Sequence, residues 1–265
     1  MQKGIVQFAV GFTLFSIAAT LSGFAYLITT GRSVNFCRHY IIRPLVRLAL
    51  AVHGIRLEVD VDLWQQRPAF FMFNHHSNLD IFLIAALDLP PSRSFFSTEM
   101  PKHGPMMLAA HAIGAFLIAP QHRHNSRVQC FKRAETVLRH TGESIIASPE
   151  GARYIDREIG PFNKGVFHLA LQLQYPIIPL LFEIPPEANA KMSYFFKPAN
   201  VRIRALKTIE TLNLDESDIA ALRDGTRQVY QEAMASSGIQ SKNSPSINVD
   251  DSRRRSTRPR FIASR

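Results

Sequence analysis

The first regularity along the chain is a stretch without charge. Gly4 to Thr30 holds no Asp, Glu, Lys or Arg over 27 residues. As a helix rising ~1.5 Å per residue it would reach about 40 Å, enough to cross a bilayer with some tilt. A cleaved signal peptide would have a shorter apolar region, ~7–15 residues, ending in a small-x-small site. The run Thr29-Thr30-Gly31-Arg32-Ser33 fits that poorly, so the segment reads as a retained membrane helix. Only Lys3 precedes it, whereas Arg32, Arg38, Arg43 and Arg47 follow, which by the positive-inside rule places the body in the cytoplasm. Val34 to Val52 predicts a second helical segment, kinked or broken by Pro44. Its polar stripe, Asn35, His39, Arg43 and Arg47, leaves two readings open: an interfacial helix with arginines towards lipid headgroups, or a helix packed on the body.

Downstream the periodicity alternates between strand and helix. Ile55, Leu57, Val59 and Val61 alternate with polar residues and predict a strand. Ala69–Phe73 is a continuous apolar strand, and Ser77–Leu87 a helix with Ser77 or Asn78 as its cap. Strands are expected at Ser92–Ser97, Ile145–Ala147, Ile177–Phe182 and Val201–Leu206. Helices are expected in the first part of Pro105–Ala119, and at Arg127–His140, Lys164–Leu173 and Ser217–Ser236. Such alternation implies an α/β fold, a sheet layered with helices and active residues on loops at strand ends. Three regions follow: an anchor and basic amphipathic helix over residues 1–52, a catalytic body over 53–236, and a disordered basic tail over 237–265.

Composition narrows the classes. Two cysteines, Cys37 and Cys130, in no CxxC spacing give neither a disulfide framework nor a thiolate metal site. Half of the formal net charge of +10 lies in residues 236–265. The remaining excess suits an anionic surface or substrate, and basicity alone does not separate nucleic acid from anionic lipid. There is no GxSxG elbow, HExxH, P-loop or GxGxxG. His122 and His124, without a carboxylate or thiol cluster, are poor metal ligands, and no metal site is expected.

The chemistry concentrates where the apolar strand runs into Asn74-His75-His76-Ser77-Asn-Leu-Asp80. A histidine at a strand end with a carboxylate five residues on is what general-base chemistry on a hydroxyl needs. The imidazole takes the proton, and the carboxylate fixes its tautomer and stabilises the imidazolium. Ser77-Asn-Leu-Asp80 also fits a capping box, in which Asp80 would simply tie down a helix start. A second run, Ser148-Pro-Glu-Gly-Ala-Arg153, again follows an apolar strand. A Gly-containing turn brings backbone N–H groups close to an anion, and a guanidinium grips phosphate through paired donors. The plainer reading of Arg153 is a surface ion pair with Asp156 or Glu158.

Together these runs resemble the first and third motif blocks, NHxxxxD and FPEGTR, of the 1-acylglycerol-3-phosphate acyltransferase family of glycerolipid acyltransferases. Gly160-Pro-Phe-Asn-Lys-Gly165 is similar to the family's pFKkG segment, and Pro176-Ile-Ile-Pro179 to its fourth block. The resemblance spans about residues 54–185 and implies a central mixed sheet. It implies an O-acyltransferase in phospholipid biosynthesis, with His75 as base and Asp80 as its orienter. Asn74, Glu150, Gly151, Arg153 and Lys164 are the implied substrate-binding residues. The donor is acyl-CoA or acyl-carrier protein, with no bound cofactor, and the acceptor a lysophospholipid, foremost 1-acylglycerol-3-phosphate. Partners are membrane lipids and, where it is the donor, acyl-carrier protein, with no nucleic acid. The site is the bacterial inner membrane.

The second block departs from the family. Gly114-Ala-Phe-Leu-Ile-Ala-Pro120 places proline where the family carries an arginine, and Ser97-Thr98-Glu99-Met100 lacks a lysine usual there. His122, Arg123 or Arg127 are candidate substitutes. A less charged acceptor, such as a lyso-ornithine lipid, is the first alternative. A non-catalytic lipid- or nucleic-acid-binding protein on the same fold is the second.

Overall fold

The computed structural model describes residues 2–29, 31–60, 68–99, 104–154, 158–189 and 195–237. The tail expected beyond Ser237 lies outside these residues, as does Asp156. The strands are β1 (Ile55–Val59), β2 (Phe70–Phe73), β3 (Ser92–Ser97), β4 (Phe116–Ile118), β5 (Ser144–Ala147), β6 (Ile177–Glu183) and β7 (Ala199–Ala205). They form one seven-stranded sheet in the order β1-β7-β6-β2-β5-β3-β4. The five strands from β6 to β4 are mutually parallel. Strand β7 pairs antiparallel with β6, and β1 parallel with β7, so the sheet is mixed.

Successive residues of β2 divide the core. Phe71 and Phe73 face α1 (Gln2–Ile28), α3 (Arg43–Val52) and α4 (Asp80–Ala86). Phe70 and Met72 face α6 (His124–Thr141), α7 (Lys164–Leu173) and α8 (Ile219–Ser236). Both faces of the central strands are covered, which is why β2 and β6 read as unbroken apolar runs. The short β4 was not legible as a strand, because three residues are too few to show a period.

The N-terminal helices are part of this core. Ala18 and Ala19 of α1, and Val46 and Leu50 of α3, are buried in one cluster with Ile55, Phe71 and Ile178. Helix α1 packs along α3 and α5 (Gly104–Ala112). Its close approaches use glycine: a Cβ on Gly11 would fall 2.4 Å from the His53 ring, and one on Gly23 2.4 Å from Leu108. No break in packing occurs at residue 52, where the sequence suggested a boundary between anchor and body. Pro44 does not break the second segment either. Helix α2 (Val34–Phe36) widens into a π-helical stretch, Cys37–Ile42, that continues into α3 with Pro44 in its first turn. The wider turn, with Arg43 N–H bonded to the Arg38 carbonyl, accommodates the ring and missing donor of Pro44.

The basic residues of this segment are bonded to the body. Arg38 donates to Glu143 at 3.0 Å and to the Ile113 carbonyl at 2.6 Å. Arg43 pairs with Asp88, and Arg47 donates to the Ala86 carbonyl at 2.9 Å. Phe36, Tyr40 and Leu48 point outward instead. Glu143 also receives Arg93 at 2.6 Å, so one carboxylate joins two arginines from separate elements. Burial lowers the Arg38 pKa to about 10, still charged at neutral pH. Burial alone would raise the Glu143 carboxyl, but Arg38 and Arg93 outweigh it and hold it below its ordinary value.

Glu143 is therefore the joint. Glu143→Ala leaves two mostly buried guanidiniums without their partner and should cost about 3–5 kcal/mol. Arg38→Ala leaves Arg93 in place and should cost about 1.5–3 kcal/mol. Denaturant unfolding in detergent gives both values, and equal or reversed costs would show that Glu143 does not join the two elements.

Candidate active site

Because β2 to β6 run parallel, the loops leaving β2, β3, β4, β5 and β6 all emerge at one edge of the sheet. The first block leaves β2, the second leaves β4 and the third leaves β5. Residues far apart in the chain therefore meet.

The first block closes on Asp80. Its Oδ2 accepts from His75 Nδ1 at 2.6 Å, from the His76 N–H at 3.0 Å and from the Ser77 N–H at 3.1 Å. Ser77 Oγ accepts the Leu79 N–H at 2.9 Å. Both readings of Asp80 hold together: it ties down the start of α4 and it holds the imidazole. The Asp80 side chain is 1% exposed and that of His75 27%. A proton on Nδ1, donated to Asp80, leaves the Nε2 lone pair free to act as a base. Phe73 lies edge-on to the His75 ring with centroids 5.7 Å apart.

The Asn74 amide is bonded into the sheet. Its Oδ1 accepts the Phe182 N–H at 2.7 Å, and its Nδ2 donates to the Phe182 carbonyl at 3.1 Å. The amide thus extends the β2–β6 pairing by one step past the strand end, in a place that is 1% exposed. Both ends of this amide, which the resemblance implied for substrate, are bonded to the main chain of Phe182.

Glu150 points inward as well. It is 1% exposed, and its Oε1 accepts the His75 N–H at 3.2 Å. The Tyr154 N–H donates to the His75 carbonyl at 3.0 Å. The third block therefore grips both sides of the His75 main chain. Gly151, at φ +66°, makes the turn where an L side chain would be strained, and a Cβ there would fall 2.8 Å from Asn163 Nδ2. Asn163 clamps the turn by donating to the Glu150 carbonyl at 2.6 Å. Gln121, just after Pro120, lies over Gly151, so the second block does meet the third.

Arg153 is exposed and makes no ion pair among the described residues, so the pairing with Glu158 is not formed. Lys164, the first residue of α7, is exposed, and so are His122 and Arg123. Arg127 is half spent: it donates to the Ala119 carbonyl at 2.9 Å and lies over the Phe131 ring. Among the described residues no three metal-ligating side chains converge.

Helix α8 supplies the floor, which sequence periodicity signalled only as a buried face. Tyr230 donates to the Met72 carbonyl at 2.6 Å, just before the first block. Arg227, one turn earlier, donates to the carbonyls of Ile159 and Gly160, each at 2.8 Å.

A family profile described as Acyltransferase matches residues 54–183. That span takes in the motif blocks, and the protein is an acyltransferase. Among its relatives, human 1-acyl-sn-glycerol-3-phosphate acyltransferase beta is 29% identical over 79% of this chain and 75% of its own length. The mouse alpha enzyme is 29% identical over 74% of this chain and 69% of its own length. The crystal structure of the 1-acyl-sn-glycerophosphate (LPA) acyltransferase PlsC from Thermotoga maritima shares the fold. Its TM-score is 0.63 at 18% identity, over 84% of this chain and 95% of that one.

Burial pushes the Glu150 carboxyl up to about 8, reinforced by the Asp80 carboxylate and only partly offset by the N–H groups of His75 and Gly160 and by Arg227. His75, Asp80 on α4, and Arg227 and Tyr230 on α8 are the titratable groups around it. An unfolded glutamate titrates near ~4.3. Between the two values the folded protein keeps a proton that the unfolded chain has released, so stability falls as pH rises through that window and levels off above it. Glu150→Gln removes this loss. Its unfolding free energy should match wild type near ~pH 4 and exceed it by on the order of a few kcal/mol near ~pH 8. Parallel curves for the two proteins would show that folding does not shift the Glu150 carboxyl.

Proposed function

We propose that the protein moves an acyl chain from acyl-CoA or acyl-carrier protein to the free hydroxyl of 1-acylglycerol-3-phosphate. The observation that carries this reading is the 2.6 Å His75–Asp80 bond at the sheet edge where three motif blocks converge. Nε2 of His75 takes the hydroxyl proton as the oxygen attacks the thioester carbonyl. The tetrahedral intermediate then expels the thiolate, which recovers the proton from the imidazolium. Asp80 keeps the imidazole in the required tautomer and stabilises its charge. Arg153 and Lys164, both exposed beside the Gly151 turn, serve the acceptor phosphate.

The same reading places the enzyme on a membrane, in bacteria the cytoplasmic face of the inner membrane. Ile5–Ile28 is long and apolar enough to cross one. Its inner side is packed on the body, while Phe12, Leu21, Phe24, Leu27 and Ile28 are exposed. Phe36, Tyr40 and Leu48 add to this apolar face. The arginines of the second segment are bonded inward, so attachment rests on apolar side chains more than on headgroup charge. The apolar N-terminal segment is thus attached along its length to the domain it anchors.

Two outcomes are expected. Purified protein in detergent, offered a panel of lysolipids, should release thiol fastest with lysophosphatidate, and His75→Ala should lower turnover by about 10²–10⁴-fold without unfolding. Near-normal turnover in folded His75→Ala would end the mechanism, and preference for a neutral or zwitterionic head would move the acceptor to another lysolipid. Phe24→Glu with Leu27→Glu should reduce vesicle binding while leaving the melting temperature unchanged. Retained binding would shift attachment elsewhere.

A further inference from the structure

We propose that Glu150 is a positioning residue that holds the His75 main chain from beneath, and that it does not touch the acceptor. The reading of its purpose rests on His75 serving acyl transfer; its geometry does not. A ligand of a phosphate headgroup would have to reach solvent, and Glu150 is 1% exposed. A carboxylate is also the wrong charge for an anion. One oxygen is committed to the His75 N–H at 3.2 Å. The other, Oε2, is buried as well and accepts no side-chain hydrogen bond among the described residues.

The surroundings explain why this residue is needed. Asp80 engages the side chain of His75 and the N–H groups of His76 and Ser77, but it leaves the His75 N–H unanswered. Glu150 accepts that last donor. With the Tyr154 N–H on the His75 carbonyl, the main chain of His75 is held at its N–H and at its carbonyl by a loop arriving from β5. The Glu150 end is itself fixed by Asn163 on its carbonyl and by Ser148 Oγ, which accepts its N–H at 3.3 Å. The Gly160 N–H approaches the Glu150 carboxyl from the segment that Arg227 of α8 holds.

The test compares two variants and two readouts. Amide hydrogen exchange of the peptide containing Asn74–Ser77, measured without substrate, should quicken at least tenfold in Glu150→Ala. It should stay close to wild type in Glu150→Gln, whose amide oxygen can still accept. In kinetics, Glu150→Ala should lower kcat tens-fold with the acceptor KM unchanged, and Glu150→Gln should recover most of the loss. Unchanged exchange in Glu150→Ala would overturn the proposal, whatever the kinetics. So would a tenfold rise in acceptor KM in Glu150→Gln at unchanged kcat, which would make Glu150 a headgroup ligand. If Glu150→Ala does not fold, the Glu150→Gln pattern decides alone. Wild-type turnover separately tests acyl transfer, so failure of that reading is distinguishable from failure of this one.

Discussion

One oxygen of one buried carboxylate organises this molecule's chemistry. Asp80 Oδ2 gathers the His75 imidazole and two main-chain N–H groups at the start of α4. A carboxylate so deep would be costly without such donors, and the helix start supplies two of them. The third donor is the imidazole. The charge that caps the helix is thus the charge that holds the histidine ring, so the loop cannot keep its fold and lose its histidine geometry independently.

The sheet supplies the rest by topology. Five parallel strands deliver the loops after β2, β4 and β5 to one edge, and Asn74 extends the β2–β6 pairing so that His75 leaves at a set place. Helix α8, the last element described, closes the underside through Tyr230 and Arg227. The site is layered: a half-buried imidazole and an exposed arginine above, buried carboxyl groups and main-chain contacts below. This depth explains why some residues of the motif blocks touch no solvent, and why a motif match alone cannot separate those that meet substrate from those that support it.

The N-terminal part belongs to the folded core. Small residues of α1 meet the body, and large apolar residues face away. The second helical segment inverts the usual amphipathic arrangement, with arginines bonded inward to Glu143, Asp88 and carbonyls, and aromatic residues outward. A polar stripe on a helix indicates only that it needs polar partners, and here the protein supplies them.

Much of this was legible in the linear sequence. The alternating and continuous apolar runs located six of the seven strands, because burial on one or both faces of a sheet imposes those periods. The His75–Asp80 spacing was readable because a short loop and the first helical turn are local, and local geometry follows from local sequence. The turn at Gly151 was readable for the same reason. What tertiary structure alone decided is non-local. The inward course of Glu150, the pairing of Asn74 with Phe182, the floor made by Tyr230 and Arg227, and the joint at Glu143 each join elements distant in the chain. Hydrogen bonds of that kind leave no period in the sequence, since they depend on where the folded sheet carries each residue and not on its neighbours.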